Sequence, residues 1–147
     1  MKILYLCTGN SARSQMAEAF TRSILPPNAP IEVFSAGTDP KGIDPMTIAV
    51  MEEAGLDLSG SRSKRIDEIP FDTIDLVITL CDDARRACPL PPSGAHRIHW
   101  GLKDPAEATG TPDQIRESFR ATRDEVLACV KRLMFELATT RTLRSSS

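Results

Sequence analysis

The opening of the chain, MKILYLCTGNSARSQMAEAF, leaves little choice about its first folding unit. Residues 3–6 are apolar without a break, which suits a short strand buried on both faces of a parallel sheet. Met16, Phe20 and Ile24 then recur every four positions with Ala17 beside them, one face of a helix that stops at Pro26 and Pro27. Cys7 stands at the strand end and Ser14 at the helix start. Thr8, Gly9, Asn10, Ser11, Ala12 and Arg13 must turn the chain sharply between them. Packing explains the apolar run, but not Cys7 and Arg13 placed six positions apart around a glycine.

The same alternation continues. Residues 31–34 read as a second strand, and residues 45–54 as a helix ended by Gly55. Residues 75–80, DLVITL, are the most β-rich stretch and read as a third strand. The short segment DDARRA follows and is shut down by PLPP, and residues 96–100 read as a fourth strand. From Pro112 the residues Ile115, Phe119, Thr122, Val126, Val130, Leu133 and Leu137 step by three or four, which predicts a long helix. Residues 139–147 lack periodicity and are expected to be a frayed, flexible tail after a domain spanning 1–138. Strands alternating with helices imply a single-domain α/β fold of three layers, with a four-stranded parallel sheet and helices on both faces. Ligands of such sheets bind beyond the carboxyl ends of the strands. Cys7 and Cys81 are both expected at that edge.

Composition excludes several functions. The chain has 147 residues, 41% apolar, with 18 basic and 20 acidic residues giving a net charge of −2. That is enough to bury a full core without a metal or disulfide, and it offers no basic footprint for nucleic acid or a membrane surface. Only four apolar residues follow Lys2 before Cys7, unlike a secretory leader, so the expected setting is the reducing cytosol. The expected state is a monomer without cofactor. His96 and His99 are three apart, on opposite faces of a strand, and Cys81 and Cys88 lack zinc spacing, so no metal is expected. Cys129 lies on the apolar side of the last helix and reads as buried and inert.

The first loop reads as an oxyanion socket. Backbone N–H groups converging at a helix start, the helix dipole and the planar donors of Arg13 suit a tetrahedral anion. Gly9 and Asn10 are the residues that tolerate positive φ. The same field favours the thiolate of Cys7, with Ser14 and Thr8 both able to hydrogen-bond its sulfur.

CTGNSARS followed by QMAEAF resembles the phosphate-binding loop of the low-molecular-weight tyrosine phosphatase fold, and more narrowly the thioredoxin-coupled arsenate reductases built on it. FSAGTDPKG, DLVITLCDDARRACPLPP and HWGLKDPA extend the resemblance over nearly the whole chain. It implies that Thr8, Gly9, Asn10, Ser11, Ala12, Arg13 and Ser14 hold the substrate, and that Cys7 attacks arsenate. The resemblance also places the general acid at Asp104. On its own, Asp104-Pro105 is also a common loop dipeptide. Thioredoxin or a similar dithiol is the implied reductant, and weak phosphate-ester hydrolysis is expected.

Cys81 and Cys88 separate the reductase from the phosphatase. Within a helix their Cα atoms would lie seven steps of about 1.5 Å apart, roughly 10.5 Å, whereas a disulfide needs about 4.4–6.8 Å. The intervening helix must unwind, and Pro89, Pro91 and Pro92, with only Ala84 and Ala87 as anchors, make it weak. A relay from Cys7 to Cys81 to Cys88 follows. Ala106, Glu107 and Ala108 after Asp-Pro leave no aromatic slot for phosphotyrosine. The alternatives are a low-molecular-weight phosphatase with protective cysteines and a non-catalytic oxyanion-binding or phospho-carrier protein. Relatives hold a monovalent cation near the loop; Asn10, Glu18 and Ser35 match that pattern. Lys64 stands where it has an aspartate: either its ammonium pairs with Glu18 in place of the ion, or Arg62, Lys64 and Arg65 form a solvated basic patch.

Overall fold

Four strands, Lys2–Cys7 (β1), Glu32–Gly37 (β2), Leu76–Thr79 (β3) and His96–His99 (β4), form one sheet in the order β2-β1-β3-β4. Every neighbouring pair is parallel, with Cys7 opposite Gly37 and Leu6 opposite Thr79. The structure, a computed structural model, describes residues 1–89 and 94–146, the last six by backbone alone. Pro91 and Pro92 lie outside the described residues.

Alternation along the strands divides the core in two. Ile3, Tyr5, Leu76 and Ile78 face Arg13–Ile24 (α1) and Pro112–Ser146 (α4), which contribute Met16, Phe20, Phe119, Val126 and Val130. Val50 and Met51 of Pro45–Glu53 (α2) join this side. Leu4, Leu6 and Val77 face the other way, under Asp82–Ala87 (α3) and two single 3₁₀ turns at Ile66–Glu68 and Phe71–Thr73. One face therefore carries three substantial helices and the other a thin cover. Three-residue turns such as these are too short to show a period in sequence.

Most expected elements appear within a residue or two. The exception is the end of α4, which continues through residues 139–146 where the sequence suggested a frayed tail. Residues 138–146 contain no glycine or proline to stop the helix. At the other end of the fold, α2 begins with Asp44 accepting from Met46 N at 2.8 Å. Its last residue, Glu53, is gripped by Arg120 at 2.7 Å and Arg123 at 3.1 Å from α4. Those hydrogen bonds, Arg120 foremost, pull the Glu53 carboxyl down to about 2. Thus α2, and residues 38–44 leading into it, are anchored on the thicker layer.

Candidate active site

Strand order reverses direction beside β1, and the crevice between β1 and β3 at their carboxyl ends is where such a sheet binds ligands. Cys7 closes β1 there and Cys81 follows β3. A cleft of about 690 Å³ opens at this point, with Cys7, Thr8, Arg13, Lys41, Cys81 and Asp104 in its walls.

Residues 38–44 explain the loop's shape. Amides of Thr38, Asp39, Lys41 and Asp44 donate to the carbonyls of Cys7, Thr8, Gly9 and Ser11 at 3.2, 2.8, 3.0 and 3.1 Å. Ala12 O accepts from Met16 N at 2.9 Å. Across a planar trans peptide the next N–H points opposite to each carbonyl. With the carbonyls turned outward, the loop's amides are left facing the cleft, as an oxyanion site requires.

Asn10 is the hub behind that loop. It is fully buried and carries the loop's positive φ, 46°; Gly9, expected to share that role, does not. Asn10 Oδ1 accepts from the backbone amide of Lys64 and from Gln15 Nε2, both at 2.9 Å. A backbone amide can only donate, so this contact fixes which way the Asn10 amide faces. Its Nδ2 then donates to Ser14 Oγ at 2.8 Å. That leaves the Ser14 hydroxyl hydrogen for Cys7 Sγ, 2.8 Å away, a bond that strengthens when the sulfur is negative. Asn10 and Ser14 thus act from behind the loop. Thr8 does not bond Cys7 as expected; its hydroxyl lies 3.3 Å from Cys81 Sγ.

Arg13 spans the site. Its Nη1 donates to Leu102 O at 2.8 Å, and Nη2 lies 3.6 Å from Asp104 Oδ2. Leu102 and Asp104 belong to the segment after β4, so one guanidinium ties both sides of the cleft. Asp104 Oδ1 accepts from Ala106 N at 3.0 Å, capping the short turn Pro105–Glu107. Pro105 keeps Asp104 extended, and the carboxylate sits at the mouth with its side chain 35% exposed.

The second cysteine pair flanks α3. Cys81 Sγ accepts from Ala84 N at 3.3 Å, so this thiol also caps the helix. Cys88 ends the helix in an extended conformation before Pro89. It lies outside the cleft, partly buried against the thin-side core, and donates to Pro89 O at 3.3 Å. Burial pushes its thiol up, with the Arg97 charge acting the other way. Of the two expected anchors, Ala84 is fully buried whereas Ala87 is exposed. All four cysteines are free thiols. Cys129 is only partly buried, not enclosed; burial nonetheless raises its thiol.

The expected Lys64–Glu18 pair is present, at 3.7 Å, with Ser35 Oγ donating to the same carboxylate oxygen at 2.5 Å. Other site residues were not found by reading spacing. A Cβ on Gly37 would meet Thr8 O at 2.5 Å, so only glycine lets β2 end against the loop. Gln15 and Ser63 also hold Asn10, at 2.9 and 2.8 Å. The string FSAGTDPKG was the one available signal for Gly37.

The family model described as low molecular weight phosphotyrosine protein phosphatase matches residues 2–143. The chain is 44% identical to an arsenate reductase of Halalkalibacterium halodurans over 124 residues, 84% of this chain and 88% of that protein. It is equally similar, 44% over 126 residues, to an arsenate reductase of Bacillus subtilis, covering 85% and 89% of the two chains. Among solved structures, an arsenate reductase in the phosphate-binding state superposes with a TM-score of 0.72 at 34% identity, covering 92% and 97% of the two chains. An arginine phosphatase from Geobacillus stearothermophilus shares the fold, with a TM-score of 0.77 at 24% identity over 96% and 95% of the two chains.

Proposed function

Because the chain belongs to the low-molecular-weight phosphotyrosine protein phosphatase family, its loop, arginine and aspartate come with an oxyanion chemistry, and we propose that it turns this chemistry on arsenate, reducing it to arsenite. Arsenate sits in the loop against the amides of residues 8–13 and Arg13. The Cys7 thiolate attacks arsenic, and the departing oxygen leaves as water with a proton from Asp104. Cys81, as thiolate, then attacks Cys7 Sγ. The arsenic–sulfur bond breaks, its electron pair stays on arsenic, and arsenite departs from a Cys7–Cys81 disulfide. Cys88 attacks Cys81 in turn, frees Cys7 as thiolate and leaves a Cys81–Cys88 disulfide. A dithiol protein of the thioredoxin kind returns that pair to thiols in the cytosol.

What carries this reading is one arrangement. Cys81 Sγ lies in the cleft wall, bonded to the loop residue next to Cys7, and a third cysteine waits at the far end of a six-residue helix. A phosphatase needs neither. The curated similarities to arsenate reductases point the same way.

The test is arsenite production with thioredoxin, compared across Cys7→Ser, Cys81→Ser and Cys88→Ser. Cys7→Ser is expected to abolish all chemistry. Cys88→Ser is expected to stop after one cycle with Cys7 and Cys81 joined, while the reduced variant, before arsenate is added, still hydrolyses a small phosphate ester. Wild-type turnover in Cys88→Ser would overturn the relay. A stable Cys7 adduct with no turnover of either substrate would instead indicate a carrier.

A further inference from the structure

His99 and Arg97, which take no part in the chemistry above, both reach α3. They lie two apart in β4, opposite Thr79 and Val77 of β3, and so share one face of the sheet. Val77 belongs to the thinly covered side, where α3 packs. His99 Nε2 lies 3.1 Å from Asp82 Oδ1, at the first residue of α3. The carboxylate accepts, so Nε2 carries the hydrogen; Nδ1 is positioned by Thr79 Oγ1 at 2.8 Å. Arg97 Nη2 donates to Arg85 O near the helix end. That carbonyl is one of those a helix terminus leaves without an internal partner.

The helix has little else to hold it. It is six residues long and seats one fully buried side chain, Ala84. Its other fastenings are the thiol of Cys81 on Ala84 N, the bond from Arg85 N to Cys81 O and an exposed Arg86–Asp83 pair within the helix. Once Cys81 is bonded to Cys7 and then attacked, the thiol's fastening is lost as well. Bringing Cys81 and Cys88 within disulfide range requires the turn between them to unwind. Asp82 and the Arg85 carbonyl both lie in the turn that unwinds, so their contacts with β4 oppose the unwinding.

We propose that Arg97 and His99 are positioning residues that latch α3 to β4 in the reduced protein and set the rate at which the Cys81–Cys88 disulfide can form. The proposal rests on the relay reading above for its catalytic meaning, but the latch itself is measurable without arsenate. The step it gates is the attack of the Cys88 thiolate on Cys81 Sγ. One sulfur–sulfur bond forms as the bond to Cys7 breaks, and Cys7 leaves as thiolate. Arg97 has a second link to this step, since its charge opposes the effect of burial on the Cys88 thiol.

The experiment follows amide hydrogen exchange of residues 82–87 in the reduced full chain, for wild type, Arg97→Ala, His99→Ala and Asp82→Ala. Each variant is expected to exchange about tenfold faster in α3, the size of one lost charge-assisted contact, with β1 unchanged. Arg97→Lys and His99→Gln, which keep a donor in reach, are expected to restore most of the protection. In a Cys7→Ser background, diamide takes two electrons and two protons from Cys81 and Cys88 and becomes the hydrazine. That cross-link is expected to form faster in the same variants by a similar factor. Wild-type exchange and cross-linking rates would overturn the latch, and so would exchange rising equally in β1, which would mean general loosening. Asp82→Ala removes the contact from the exposed helix side and so keeps the test open should a β4 variant not fold. Failure of the relay reads out separately, as unimpaired arsenate turnover in Cys88→Ser.

Discussion

Cys7 and Cys81 leave the same edge of one sheet, yet the chain beyond each is held in opposite ways. Beyond Cys7, each carbonyl from residue 7 to residue 12 has a partner, and a fully buried asparagine is engaged at both ends of its amide. Beyond Cys81, one alanine is fully buried, and the contacts that tie the helix to the rest of the fold include a thiol and two side chains of the edge strand. The two kinds of chemistry proposed above account for the difference. Donors that stabilise developing charge work best when they do not move. Two thiols held too far apart by a helix can react only if something gives way. The fold keeps both needs by covering one sheet face heavily and the other lightly.

Breaking the rigid side should have the largest effect. Asn10→Ala leaves the Lys64 amide without its acceptor, frees the Ser14 hydroxyl from its orientation, and places alanine at positive φ. The expected loss is about 2–4 kcal/mol, read as a shifted denaturant midpoint, together with a large drop in activity. The meltable side should answer differently. Ala84→Gly removes one buried methyl and weakens the helix by about 1–2 kcal/mol in local opening. It should speed amide exchange across α3 about tenfold while the midpoint barely moves. A midpoint shift as large as that of Asn10→Ala would show that α3 is part of the cooperative core. The smallest effect is expected at the loop's outer support. With the Lys64 ammonium beside Glu18, exchanging sodium for potassium at constant ionic strength should leave turnover unchanged; strong activation by potassium would show that the ammonium does not replace the ion.

The rigid side was also the more legible in sequence. A strand, a sharp loop and a helical period place Cys7 and Arg13 by local rules, and the Pro-limited DDARRA segment announces a weak helix. What could not be read were contacts between distant segments. Residues 38–44 capture the loop's carbonyls, Gly37 gives way to Thr8, and Arg97 and His99 face α3. These depend on which strands become neighbours, and the order β2-β1-β3-β4 is not a local property. Thr8 illustrates the point: its hydroxyl was expected to serve Cys7, but β3 brings Cys81 alongside and takes it. The end of α4 erred in the opposite direction. Loss of apolar period does not by itself stop a helical backbone that meets no glycine or proline.

The light cover has a bearing on durability. Under the proposed relay α3 unravels at every cycle, and each excursion exposes hydrophobic surface that can stick to a neighbour. In that relay the excursion lifts the Ala84 methyl, worth about 0.8 kcal/mol of burial, together with the partly buried Cys81 and Cys88, off the cluster of Leu4, Leu6 and Val77. Most of the buried core lies on the opposite face of the sheet, away from α3.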